Sequence, residues 1–87
     1  MGESLQNVAT GVDEYSYRVP LGVCAAITPF NFPAFAPLIY FPLSITCGNT
    51  YVIKPSEKAA DTTEILVDLL KEAGIPDGVM NVVHGGP

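Results

Sequence analysis

A chain of 87 residues holds one small domain at most, and a chain that short buries only a modest fraction of its surface. With 48% hydrophobic and only 15% charged residues, the composition suits a segment covered inside something larger. Nine acidic residues against four basic ones give a net charge of -5, and the cations are scattered at Arg18, Lys54, Lys58 and Lys71, which argues against a nucleic-acid partner and against electrostatic attachment to anionic lipid.

Residues 1–14 are polar and aperiodic, and read as a surface segment. No basic region followed by an apolar one marks a targeting signal, and Leu5-Gln6 lacks the hydroxyl that a myristoylation signal places there. Tyr15 to Val19 alternates and is rich in β-formers, so it predicts a half-exposed strand ending at Pro20. Val23 to Ile27 is a continuous apolar run, as expected for a strand covered on both faces. Pro33 suits the first turn of a helix over Ala34 to Cys47, which Pro42 must kink or divide. Gly48-Asn49 closes it, and Thr50 to Lys54 forms the next strand, stopped by Pro55. The 35 residues from Val19 to Ile53 carry no charge, but four prolines and several polar residues punctuate them; a buried core accounts for them better than a membrane span.

Asp61-Thr62-Thr63-Glu64 has the form of a capping box, with Asp61 as N-cap and Glu64 reaching back. Ile65, Leu66, Leu69, Leu70 and Ala73 then share one helical face, and Gly74 and Pro76 end the helix. Val79 to Val83 is a last core strand, followed by His84-Gly85-Gly86-Pro87. The order β-β-α-β-α-β over residues 15–87 predicts an α/β fold, a partial Rossmann-like sheet, largely parallel, with right-handed crossovers.

In such a sheet, ligands bind beyond the carboxyl ends of the strands. Three ends are legible: Thr28 to Asn31, Lys54 to Glu57, and His84 to Gly86. Asn31 can donate a hydrogen bond to a developing oxyanion, or serve as a turn asparagine satisfying local backbone groups. Lys54 and Glu57 can hydrogen-bond ribose hydroxyls, or form an exposed ion pair of little energetic weight. Lys58 adjoins the same turn and is otherwise a solvated surface lysine. His84 is the one imidazole, and at a strand end it is more often structural than catalytic. Cys24 and Cys47 have no paired spacing and read as buried thiols in a reducing compartment. A nucleophile there is disfavoured, because Cys24 sits in a strand and Cys47 at a helix C-terminus, where the dipole opposes a thiolate.

Pro20-Leu21-Gly22-Val23, Pro29-Phe30-Asn31-Phe32-Pro33, Gly48-Asn49-Thr50, Lys54-Pro55-Ser56-Glu57 and Glu72-Ala73-Gly74-Ile75-Pro76-Asp77-Gly78 follow in the order and spacing of aldehyde dehydrogenases. The whole chain resembles an internal piece of the NAD-binding domain of that superfamily. Met1-Gly2-Glu3 leading to Tyr15-Ser16-Tyr17-Arg18, together with Phe30 and Phe41-Pro42-Leu43, is most similar to its methylmalonate-semialdehyde branch. The resemblance implies oxidation of malonate or methylmalonate semialdehyde with NAD and coenzyme A, giving acetyl-CoA or propionyl-CoA with loss of carbon dioxide. It implies that Asn31 is the oxyanion donor, that Lys54 and Glu57 contact the adenosine ribose, and that Thr28, Phe30 and Lys58 line the NAD site. It also implies a homotetramer, mitochondrial in a eukaryote and cytoplasmic in a bacterium, whose nucleophilic cysteine and pyrophosphate-binding turn lie C-terminal to this segment. The chain alone is therefore expected to be inactive. Two other readings stay open: a piece of an aldehyde dehydrogenase that makes a free acid, and a non-catalytic module that binds nucleotide or a partner.

Overall fold

The computed structural model describes residues 2–86; Met1 and Pro87, the outer ends of the expected surface segment and of the last strand exit, lie outside the described residues. The elements run β1 (Gly2–Ala9), β2 (Val12–Tyr17), β3 (Val23–Ile27), α1 (Phe35–Thr46), β4 (Thr50–Lys54), α2 (Ala60–Glu72) and β5 (Met80–Val82). The α/β class and the parallel sheet agree with expectation, with one strand more than expected at the start.

That strand corrects the reading of residues 1–14 as irregular. β1 and β2 form an antiparallel hairpin, with Gly2 opposite Tyr17 and Ala9 opposite Val12 across the turn Thr10-Gly11. Gly11 takes φ 72°, a left-handed conformation that glycine adopts without penalty and that hairpin turns use. Every residue of both strands is exposed. With no face buried there is no reason for apolar and polar residues to alternate, so the period-two signal is absent from β1 and from the start of β2. β2 accordingly begins three residues earlier than the Tyr15 start expected and stops at Tyr17.

β3, β4 and β5 pair in parallel in that order. The register aligns Cys24 with Tyr51 and Met80, and Ala26 with Ile53 and Val82. These six residues share one face. Phe41, Tyr51 and Ile53 form the buried core there, joined by Ile45 of α1 and Leu70 of α2. Two right-handed crossovers that advance the same way across a sheet must lay their helices on the same side. The opposite face carries Val23 and Ile27, 74% and 79% exposed. β3 is therefore covered on one face only, not on both as its apolar run suggested. Cys24 is correspondingly half-buried, and Cys47, expected to be buried, is exposed at the end of α1.

α1 remains one twelve-residue helix across Pro42. Pro37, not Pro33, occupies its first turn, where a missing N–H leaves nothing unmade. The capping box is also displaced. Ala59 stands at the N-cap of α2 with no side-chain bond, and Asp61 lies inside the first turn, where its charge complements the helix dipole. Ile65 and Leu69 are exposed, so the apolar stripe of α2 is wider than the surface it covers. β5 is shorter than Val79 to Val83, although Tyr51 N–H bonds the Val79 carbonyl (2.7 Å) and Val83 N–H bonds the Ile53 carbonyl (2.9 Å), extending the ladder at both ends.

Candidate functional site at the strand exits

Parallel pairing brings the carboxyl ends of β3, β4 and β5 side by side. Thr28, the first residue beyond β3, is buried, and its N–H donates to the Lys54 carbonyl at 3.0 Å. The first two exits are thus joined through backbone. Lys54 is half-buried, and its ammonium donates to the Pro55 carbonyl (2.9 Å) and to the Gly85 carbonyl (2.8 Å). An ammonium has three N–H donors, so one remains for a ligand. The bond to Gly85 joins the second exit to the third, across 31 residues of sequence.

Beyond Lys54, Pro55 and Ser56 are buried, and the Lys58 N–H bonds the Ser56 hydroxyl at 3.3 Å. This short turn delivers Glu57 to the surface, exposed, and returns Lys58 toward the first exit. There the Lys58 ammonium lies 4.8 Å from the centre of the Phe30 ring, a cation–π contact. Asn31, next to Phe30, is exposed. Of the expected site residues, Thr28 is therefore paired with Lys54 and Phe30 with Lys58 by direct contacts, while Asn31 and Glu57 enter no side-chain hydrogen bond among the described residues. The expected simple pairing of Lys54 with Glu57 is absent among the described residues; Lys54 is held by backbone carbonyls instead.

Glu64 does not reach back to cap α2 but meets His84 at the third exit, Nε2 to Oε1 2.5 Å. Both side chains are about half exposed, which makes this a surface clasp between α2 and the end of β5. Ser56 and the Gly85 carbonyl lie in the expected strand exits but were not among the expected site residues. Serine after proline carried a weak turn signal, whereas a carbonyl acceptor carries none. Tyr51 is the titrating group with a displaced pKa: burial pushes its phenol above 10.0, and Cys24 and Tyr40 add to the shift. It faces the helix-covered core rather than the exits, so this neutral phenol belongs to packing.

The open hollow beside the hairpin, about 450 Å³ and lined by Gly2, Glu3, Ser16 and Arg18, has no strand-exit residue in its wall. Among the described residues no three His, Cys, Asp or Glu side chains gather to hold a metal ion, and no helix is long and apolar enough to cross a membrane.

Comparison with known proteins accords with this geometry. The sequence profile of the aldehyde dehydrogenase family matches residues 1–87. A probable methylmalonate-semialdehyde/malonate-semialdehyde dehydrogenase [acylating], mitochondrial, of Dictyostelium discoideum is 63% identical over 86 residues, which cover 99% of this chain and 16% of that protein. The crystal structure of a putative methylmalonate-semialdehyde dehydrogenase from Sinorhizobium meliloti complexed with NAD superposes with a TM-score of 0.95 at 43% identity, covering 99% of this chain and 18% of that one. A methylmalonate-semialdehyde dehydrogenase structure from Oceanimonas doudoroffii gives 0.91 at 52% identity, with 98% and 17% covered. The chain thus spans less than a fifth of the length of these relatives. Its parallel sheet matches the NAD-binding domain of such structures, and the chain belongs to the aldehyde dehydrogenase family.

Proposed function

We propose that this chain supplies the ribose-binding and oxyanion-donating part of an NAD- and coenzyme A-dependent dehydrogenase acting on malonate or methylmalonate semialdehyde. One observation carries the reading: Lys54 is pinned at a strand exit by two carbonyls, with a single donor left over and the free carboxylate of Glu57 in the next turn. A donor fixed at a strand exit and a carboxylate acceptor three residues further on suit a vicinal diol, which offers both. The residues therefore fit an adenosine ribose. Lys54 and Glu57 would hold it, and Thr28, Phe30 and Lys58 would line the remainder of the cofactor site. NAD, when bound, supplies the hydride acceptor.

The residues of this chain act on the substrate side through Asn31. Its amide N–H is free to donate to the oxygen of an aldehyde carbonyl as negative charge develops there, and a preorganised donor lowers that barrier. Neither cysteine supplies the attacking thiolate. Cys24 turns toward the helix-covered face of β3, and Cys47 caps the C-terminal end of α1. The 87 residues alone are therefore inactive, and a longer polypeptide supplies the nucleophile. The acylating outcome rests on the names of the similar eukaryotic proteins, as does a mitochondrial site if the source is eukaryotic, whereas acetyl-CoA or propionyl-CoA as product and a cytoplasmic site in a bacterium rest on the family resemblance. The full polypeptide is proposed to assemble as a homotetramer.

The test is the Lys54→Met variant of the full-length polypeptide carrying this segment. Losing one charged hydrogen bond should raise KM for NAD about tenfold or more while aldehyde KM holds. An unchanged KM for NAD would remove Lys54 from the cofactor site. NAD reduction by the pure 87-residue chain with semialdehyde and coenzyme A would overturn the claim that its nucleophile lies elsewhere.

A further inference from the structure

Asn31 enters none of the side-chain hydrogen bonds formed among the described residues, yet the residues on either side of it are held. On one side the Phe30 ring lies under the Lys58 ammonium at 4.8 Å. On the other, Phe32 meets Phe35 edge to face with centroids 5.9 Å apart, and its carbonyl accepts the Ala36 N–H at 3.0 Å. The loop from Thr28 to Ala34 has no regular structure of its own. Its position therefore depends on these anchors. The Phe32 anchor belongs to the start of α1. The Phe30 anchor comes from a different crossover, 28 positions along the chain.

The root of that second anchor is firm. Pro55 and Ser56 are buried, and the Ser56 hydroxyl fixes the Lys58 backbone N–H. The line of contact therefore runs from the end of β4 through Ser56 to Lys58, across to Phe30, and so to the residue beside it. An asparagine whose amide must stay unbonded, ready for a ligand, cannot be oriented by a hydrogen bond of its own. Its backbone has to be placed by its neighbours.

We propose that Lys58 is a positioning residue for Asn31, acting through the face of Phe30. The cation holds the exit turn of β3 in the place where the Asn31 amide meets the substrate oxygen, in addition to whatever contact Lys58 makes with the cofactor. The proposal rests on the reading of Asn31 as oxyanion donor, but the clasp itself can be tested without it. Contact with the cofactor alone would move KM for NAD; positioning moves kcat and links the two side chains to each other.

The experiment is a double-mutant cycle in the full-length polypeptide, with Lys58→Met, Phe30→Leu and the pair, and with Lys58→Arg as the variant that keeps the cation. Exposed cation–π contacts are weak, so each single change should lower kcat by about two- to fivefold. The pair should be no worse than either single change, and Lys58→Arg should restore the rate. Without cofactor, the Lys58 ε-methylene resonance should lie upfield under the ring current and return to its ordinary position in Phe30→Leu. The Asn31 backbone amide should lose order in both single variants. Additive rate losses, a loss confined to KM for NAD, or a lysine resonance indifferent to Phe30→Leu would each overturn the proposal. A folded protein without dehydrogenase activity would overturn the functional reading instead, and the clasp would then stand or fall on the lysine resonance and the order of Asn31.

Discussion

The two edges of the parallel sheet are cross-linked by the same kind of device, yet they end in opposite chemical states. At the entry edge, Asn49 is buried and commits both ends of its amide: Oδ1 accepts the Gly22 N–H at 2.9 Å, and Nδ2 donates to the Ser44 carbonyl at 3.0 Å. It ties the start of β3 to the end of α1. Asn81 commits one end of its amide, its Nδ2 donating to the Gly78 and Tyr51 carbonyls. At the exit edge, Lys54 joins β4 to the Gly85 turn but keeps one donor, while the Asn31 amide and the Glu57 carboxylate enter no side-chain hydrogen bond among the described residues. Buried polar groups are satisfied as a rule, whereas Asn31 and Glu57 are exposed, where water or a ligand completes them. One edge is closed by its polar side chains. The other is held open by them.

The contrast is sharpest for the two asparagines. Asn31→Ala in the full-length polypeptide should lower kcat about 10²- to 10³-fold, the usual effect of removing one oxyanion donor. Its urea midpoint should stay where it is, because the amide enters no side-chain hydrogen bond among the described residues. A matching loss of stability would mean that Asn31 is a turn residue after all. Asn49→Ala should do the reverse. It strands the Gly22 N–H in a part-buried place, at a cost of about 1–3 kcal/mol, whereas the Ser44 carbonyl keeps the backbone N–H of residue 49. Amide exchange at Gly22 should accelerate, with the KM for NAD unmoved. Protected exchange in that variant would show that the entry edge is closed by packing and not by this amide.

Much of this division was legible in the sequence, and the reasons for what was not are physical. Val23 to Ile27, Thr50 to Lys54 and the two helices announced themselves because glycine and proline bounded apolar runs of the right length. Lys54 and Glu57 were placed at a strand exit for the same reason. The hairpin was missed because both of its faces are exposed, leaving no period to read. The capping box was misplaced because Asp61 and Glu64 have the right spacing but lie inside the helix, Asp61 in its first turn, and Glu64 has a partner in His84 instead. The couplings that make the site, Lys54 to Gly85 and Phe30 to Lys58, span 31 and 28 positions, and only the parallel register brings them together. Local pattern specifies elements, whereas these contacts exist only once the sheet has formed.

The smallest effect expected lies at the third exit, and it tests whether the open edge is held by charge. His84 and Glu64 meet at 2.5 Å but are about half exposed, at 55% and 47% of side-chain surface. Water screens such a pair, and ordering two side chains offsets part of the attraction. His84→Gln should therefore cost less than about 1 kcal/mol, read as a shift of the urea midpoint at unchanged slope. The Lys54 bond to Gly85 should persist in that variant, because it depends on a half-buried ammonium and on the adjacent Val83 to Ile53 backbone bond, neither of which touches the imidazole. A larger loss, or release of the Gly85 turn, would make the surface clasp rather than Lys54 the element that holds the third exit against the other two.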